Sequence, residues 1–520
     1  MRSMLNNDPN QVVSGASRAD GLVSDKGSLH TGPFSLKKAF SSVVNAFDIE
    51  AVTTTWLWRS LKSRPATKER TIALIERAIV DVDDLISRQI DTILHAVSFQ
   101  KIEASWRSLH YLVDTEAEYD EDLTIKIKIL DVSWEELAND VSRAIEFDQS
   151  QTFHRLYSDE FDTPGGEPFG VMLGDYHVSH RPREGVFESD TEVLNNIAQI
   201  ATAALCPFIT NASYTLFGLD SYRELGQHPS LHDIFDQNEY IKWRSLRQQE
   251  DMRFVGLTLP NILMREPYRY DGTRSEGFIY QEQVNDADAD FLWGSACYAF
   301  GGVLIRAFAN TGWFADIRGG IHGFGEGGAV RNLSYARYEM DRKGIAARPS
   351  TNVQVHDFLE RELSETGFIP LSSFHSTEHS VFYSNNSFHE PPQYESEIAT
   401  LNAKLSSMIQ YMLCVSRFGH FIKVMIRDKI GSFSTAADCQ QFLQNWLNEY
   451  TTSSEGTSSE LKARYPLAAC KVEVHEQAGR LGYFTCVVHL QPHFQLDQLV
   501  SSIRLVTELA VGTTTGNNST

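Results

Sequence analysis

Three strings in this 520-residue sequence have the residue types and spacing of chemistry. His375-Ser376-Thr377-Glu378-His379 spells the H-x-x-E-H of inverted zinc peptidases, in which two imidazoles on one helix face hold a zinc ion for hydrolysis. Gly323-Phe324-Gly325-Glu326-Gly327-Gly328 spells G-x-G-x-x-G, whose glycines let backbone amides approach a dinucleotide pyrophosphate. Thr163 to Tyr176 joins Pro164-Gly165-Gly166 to the carboxylate of Glu167 and ends in Gly174-Asp175-Tyr176, in the manner of a catalytic loop.

Each string needs an element to hold it. His375 to His379 falls between two strand-like runs, Gly367 to Leu371 and Ser380 to Tyr383, so it reads as a polar hairpin loop where the zinc motif needs a helix. The glycine string follows a strand candidate at Trp313 to Ile317, but no helix opens after it and no acidic residue stands at a strand end about 20 positions on. Pro164-Gly165-Gly166 has the preset and positive φ angles of a tight turn, and Phe169 to Leu173 is a short buried-strand pattern. Nucleophile, base and oxyanion donor are absent from that run. No catalytic, cofactor-binding or metal-binding residue is therefore assigned. A metal-dependent hydrolase using His375, Glu378 and His379 stays as the enzymatic alternative.

Length predicts two or three domains with a core large enough to need neither disulfide nor metal. A net charge of -22 opposes general affinity for nucleic acid or anionic lipid, because phosphate binding requires a positive field. The 6 cysteines are scattered, mostly within apolar runs, and no Cys-x-x-Cys occurs, which fits reduced thiols in a cytoplasm. No apolar run reaches the ~18 residues of a membrane span, and no signal-peptide core opens the chain, so a soluble protein without membrane insertion is expected.

Residues 1–60 are rich in Ser, Asn, Asp and Gly and read as a mobile arm. Residues 61–120 read as a helical hairpin. Ile72, Ile75, Ile79, Val82, Ile86, Ile90, Ile93 and Val97, then Ile102, Trp106, Leu109 and Val113, recur at helical steps, and these stripes must pack on something else. Residues 121–390 mix strands and helices in the α/β manner, and the fold class is read as α/β, a mixed α+β chain. Ile125 to Ile129 alternates like a strand, and Ser133 with Glu136 forms a capping box opening a helix expected to bury Leu137, Val141 and Ile145. Further helices are expected from Asp190 to Leu205 and within Phe291 to Phe308.

Residues 391–509 hold a helix from Ile398 to Ile426, ~42 Å long at 1.5 Å per residue. Arg417, Lys423, Arg427 and Lys429 give it a basic face, open to two readings: solvated or salt-bridged charges, or a patch that meets an acidic partner. A helix from Ala436 to Tyr450 and strand candidates Cys470 to Val474, Tyr483 to Leu490 and Leu499 to Leu509 follow, and residues 510–520 read as a disordered tail.

Several longer strings together resemble one family. Ser98 to Leu109, Ile145 to Ser150, Thr163 to Tyr176, Tyr240 to Arg244 with Val255 to Pro260, Phe291 to Gly294, Ser416 to Phe418 with Arg427 to Phe433, and Gln491 to Leu496 keep the order found in the large sheath subunits of bacterial type VI secretion systems, the TssC (VipB) family. The resemblance runs from about Arg64 to Leu509. The arm before Arg64 and the loop from Gly319 to Arg348 depart from it.

The resemblance implies a fold similar to phage tail sheath proteins, completed by a small partner subunit, TssB (VipA), on which the hairpin of residues 61–120 would pack. It implies heterodimers stacked with other copies into a helical tube around an Hcp inner tube, contact with baseplate components, and dismantling by the AAA+ unfoldase ClpV mainly through the small subunit. Terminal strands that complete each other's sheets would place Val472, Val474, Phe484, Val487 and His489 between protomers. Arg417, Lys423, Arg427 and Lys429 would face the inner tube. A sheath of another contractile injection device is the alternative within this class.

Overall fold

In this computed structural model the described residues are 67–122, 124–161, 163, 165–182, 189–227, 230–270, 272–273, 277–284, 288–319, 327–334, 350–373, 379–428, 435–452, 459–476, 483–493 and 503–510. The expected arm, the tail and the Lys429 position lie outside them. The chain divides into two units, Met1–Ile86 and Ser87–Thr520. Helix α1 (Lys68–Leu94) begins in the first, and its 27 residues include no buried one.

In the second unit, α2 (Val97–Tyr119) buries Ala104, Ser108, Leu112 and Thr115 and leaves its other face open. Strands β1 (Met172–Val178), β2 (Phe208–Ala212), β3 (Val255–Leu259), β4 (Ile262–Leu263), β5 (Trp293–Gly294), β6 (Ala329–Val330), β7 (Ile369–Ser373) and β8 (Ser380–Phe382) follow. Six of them form one sheet in the order β1-β2-β3-β7-β8-β6, parallel from β1 to β7 and antiparallel at β8 and β6. Every residue of β2 and β3 is buried, as a parallel sheet covered on both faces requires.

The two faces belong to two cores. Helix α3 (Trp134–Arg143) and α4 (Asp190–Ala204) lay Leu137, Val141, Leu194 and Ile197 with Phe208, Val255, Leu257 and Leu259. Helix α5 (Ile241–Arg247) adds Trp243 and Leu246 to this core, while on the other face helix α6 (Ala296–Thr311) sets Phe300, Val303 and Leu304 against Ile209, Ile369 and Leu371. Neighbouring strand residues thus point to opposite cores, the period of two that a pleated strand imposes. Glycine brings α2 and β1 close to α6: a Cβ on Gly301 would stand 2.5 Å from the Leu173 side chain, and one on Gly302 2.7 Å from the Tyr111 hydroxyl.

The remaining helices are α7 (Asp357–Glu365), α8 (Glu397–Ser406), α9 (Ile409–Asp428), α10 (Ala436–Asn448) and α11 (Ser459–Arg464). They lead to a second sheet of β9 (Leu467–Glu476), β10 (Tyr483–Pro492) and β11 (Ile503–Ala510), antiparallel with β10 central. Its core gathers Phe418, Ile422, Leu443, Leu447, Val472, Val474, Val488 and Leu490 around Trp313, whose ring stacks on Phe418 at 4.0 Å.

The structure corrects four expectations. The long helix is two, because Ser407 and Met408 leave the helix: the Ser407 carbonyl accepts from the Ser387 amide and the Ile409 amide donates to the Asn385 carbonyl, 3.1 and 2.9 Å. Ile125 to Ile129 is extended but joins no ladder among the described residues. Instead the Ile125 amide donates to Asp120, and Lys126 and Lys128 pair with Glu167 and Glu160. Trp313 to Ile317 is irregular, its first amide satisfied by the Thr311 hydroxyl. Ile145 is 90% exposed, because the capping-box helix ends at Arg143 and Ile145 lies past its cap.

Candidate functional site

The three chemical strings do not assemble a reaction centre among the described residues. His375 and Glu378 lie outside those residues, and His379 is exposed. Of the glycine string only Gly327 and Gly328 are described, and protein groups occupy both. Arg306 donates to the Gly327 and Ala329 carbonyls, the Gly327 amide donates to Asp316 at 3.1 Å, and a Cβ on Gly328 would lie 2.1 Å from the Phe382 carbonyl oxygen. The Gly174-Asp175-Tyr176 end of the catalytic-looking run is the body of β1. Gly174 leaves room for the Phe208 ring, Asp175 accepts from the Ser105 hydroxyl, and Tyr176 donates to the Val132 carbonyl.

The densest polar cluster is one that sequence spacing does not announce. Arg265 donates to Glu282 at 2.6 Å and to Glu103 of α2 at 2.9 Å; Arg107 also donates to Glu103, and His95 lies 3.0 Å from Glu282. The Glu282 side chain is fully buried. Burial by itself would raise its pKa, but hydrogen bonds from Arg265 and the Tyr268 amide hold it below the usual carboxylate range. A carboxylate kept ionised by a guanidinium is a clamp and a poor general base. Its effect is to fasten the chain around β4 and β5 to the start of α2. Among the described residues no group of 3 or more His, Cys, Asp or Glu is arranged to hold a metal ion, and no described helix is long and apolar enough to cross a membrane.

The basic residues of α9 have partners within the chain. Arg417 lies 4.6 Å over the Phe421 ring and 5.4 Å over Phe308, and burial lowers its pKa. Lys423 sits 5.0 Å over Tyr157 and 5.2 Å over Phe161, and Arg427 donates to the carbonyls of Glu160, Phe161 and Thr163. On the same helix, His420 is buried with its Nε2 3.1 Å from the Ala204 carbonyl, and burial pushes its pKa down to about 3. A run of cations that sequence alone leaves facing outward is thereby largely folded onto aromatic rings and loop carbonyls.

Two surfaces remain that fit recognition by another chain. One is the outer face of α2, where Ile102 (60% exposed), Trp106 (67%) and Val113 (50%) keep the stripe read from the sequence. Large apolar side chains grouped in this way mark contact surfaces. The other is the C-terminal sheet. Its strands are where the sequence places them; of the last, the residues from Ile503 on are described, and 499–502 lie outside the described residues. Val472 and Val474 are buried toward α10, Val487 is buried, and His489 is half-buried; the Phe484 side chain lies outside the described ones. At these positions the surface an added chain can use is backbone.

Comparison with known proteins accounts for nearly the whole chain. The family model described as EvpB/VC_A0108, tail sheath N-terminal domain, matches residues 76–389, and the one described as EvpB/VC_A0108, tail sheath gpW/gp25-like domain, matches residues 398–509. The boundary between them falls at the start of α8. The type VI secretion system sheath protein TssC1 of Pseudomonas aeruginosa is 36% identical over 465 residues, 89% of this chain and 91% of its own length. The chain belongs to the VipB/EvpB tail sheath family, and its mixed α/β architecture is a phage-sheath-like fold.

Proposed function

We propose that this chain is the large subunit of a type VI secretion contractile sheath. The observation that carries the reading is the 36% identity to a sheath protein along 89% of the chain, with both sheath domains matched in order. In this reading the chain pairs with the small sheath subunit TssB (VipA), and heterodimers stack into a helical tube around Hcp rings. Contraction of that tube expels the rings, and ClpV dismantles it afterwards through the small subunit. The outer face of α2 supports the pairing, since Ile102 and Trp106 on a water-exposed face are costly without a covering partner. The edges of the C-terminal sheet support strand exchange between copies, where main-chain hydrogen bonds supply affinity. Of the charges expected to meet the inner tube, Arg417, Lys423 and Arg427 engage rings or carbonyls of their own chain, and Lys429 lies outside the described residues.

Work is done once per assembly in such a device, so free energy is stored in protomer contacts and no substrate is turned over. Co-expression with the small subunit tests this. A co-purifying heterodimer and tubules with cogwheel cross-sections in negative stain are expected. A stable, solitary chain that forms no tubules in the partner's presence overturns it.

A further inference from the structure

Strand exchange needs an edge, and the C-terminal sheet has two. Cys470, Val472 and Val474 of β9 stand opposite Leu490, Val488 and Cys486 of β10. The Val472 amide donates to the Gln444 side chain, not to β10, so by antiparallel alternation these three residues turn their amides and carbonyls away from β10. Gln444, on α10, meets that row twice: its Oε1 accepts from the Val472 amide at 2.9 Å and its Nε2 donates to the Cys470 carbonyl at 3.3 Å. One carboxamide makes the pair of bonds that a residue of a parallel strand opposite Lys471 would make. The same sense of pairing continues upstream, where the Thr452 amide donates to the Leu467 carbonyl at 2.9 Å and the Leu467 amide to the Tyr450 carbonyl at 3.2 Å. Gln444 is itself held by Asn448, whose Oδ1 accepts from Nε2 at 3.0 Å. Solvent-facing Lys471, Glu473 and His475 add charge along this strand. On the far side of the sheet, no described residue pairs with the outer row of β11.

We infer that Gln444 is an edge plug: with residues 450–452 it closes the β9 edge and leaves β11 as the side on which an extended segment of a second copy adds. The inference rests on the proposed strand exchange. The physical reason is polarity. One open edge per copy gives a head-to-tail chain of contacts, whereas two open edges permit lateral pairing and aggregation. A side-chain amide fits this task because it satisfies the edge donor and acceptor without offering a further backbone row.

The test is Gln444→Met in the full chain co-expressed with the small sheath subunit, a change that keeps volume and removes both hydrogen bonds. Expected are amide exchange at Val472 faster by about tenfold, and tubules that bundle or branch where those of the unaltered chain stay single. Unchanged exchange at Val472 overturns the plug, and so does faster exchange with single tubules. If the unaltered chain forms no tubules, the sheath reading fails separately. The plug is then judged by sedimentation of the full chain, where self-association confined to Gln444→Met supports it and equal behaviour overturns it. Should thermal melting show Gln444→Met unfolded, Gln444→Ala, which likewise removes both hydrogen bonds, is put through the same measurements with the same outcomes.

Discussion

Helices α6 and α2 lie against each other through glycine, yet they meet opposite fates. In α6, 12 residues from Ala296 to Ala307 are buried in succession, while α2 buries only Ala104, Ser108, Leu112 and Thr115 and leaves Trp106 at 67% exposure. Both carry large apolar side chains. The difference is that α6 has the sheet on one side and α2 on the other, whereas no described element of the second unit covers the outer side of α2. The contrast separates two uses of apolar surface: one fixes the fold, the other is available to a partner.

Substitution of Phe300, fully buried against Phe382, sharpens the contrast most. Phe300→Ala is expected to cost about 3–5 kcal/mol by removing the ring and leaving a cavity, read as a lower denaturant midpoint. A loss below about 1 kcal/mol would mean that α6 is not the sealed side.

Acid provides the next effect, and it acts on the closed region. His420 is held at a pKa of about 3 by burial, against about 6.5 in the unfolded chain. The unfolded chain therefore binds a proton below pH 6.5 that the folded one refuses, and stability falls as pH falls through this window. Between pH 7 and pH 5 the loss is about 2 kcal/mol from this group. His389, whose pKa is lowered by burial and by Arg253, adds in the same direction. His420→Gln should flatten the slope of stability between those pH values, measured by denaturation at each. An unaltered slope would show that the imidazole is not the group responsible.

The smallest stability effect is expected at the open face, with the largest functional one. Trp106→Ser should leave the unfolding free energy of the isolated chain within about 0.5 kcal/mol, the range of surface substitutions, yet sharply reduce co-purification of the small subunit. A Trp106→Ser chain as destabilised as Phe300→Ala would erase the distinction between the two helices.

Much of this architecture is legible in the chain. The capping box at Ser133 and Glu136 is closed in both directions, the stripes of α1 and α2 fall at the expected spacing, and β10 and β9 coincide with their alternating runs. These are local signals in which each residue's neighbours are set by a period of 3.6 or 2. The sheath family too was legible, because strings spread along the whole sequence carry it.

Tertiary structure decided what periodicity does not encode. Ile398 to Ile426 keeps helical spacing through Ser407 and Met408, and only strand-like hydrogen bonds with residues 385–387 interrupt it. Arg417 and Lys423 read as a basic face until Phe308, Tyr157 and Phe161 arrive from other parts of the chain. Arg265 is 162 positions from Glu103, and Gln444 is 28 from the Val472 amide that it caps. Sequence by itself determined the elements and the kinship, since both are written in local pattern and residue order. The partners of charged and amide side chains were decided by the fold, because a long polar side chain bonds to whatever three-dimensional packing brings within about 3 Å.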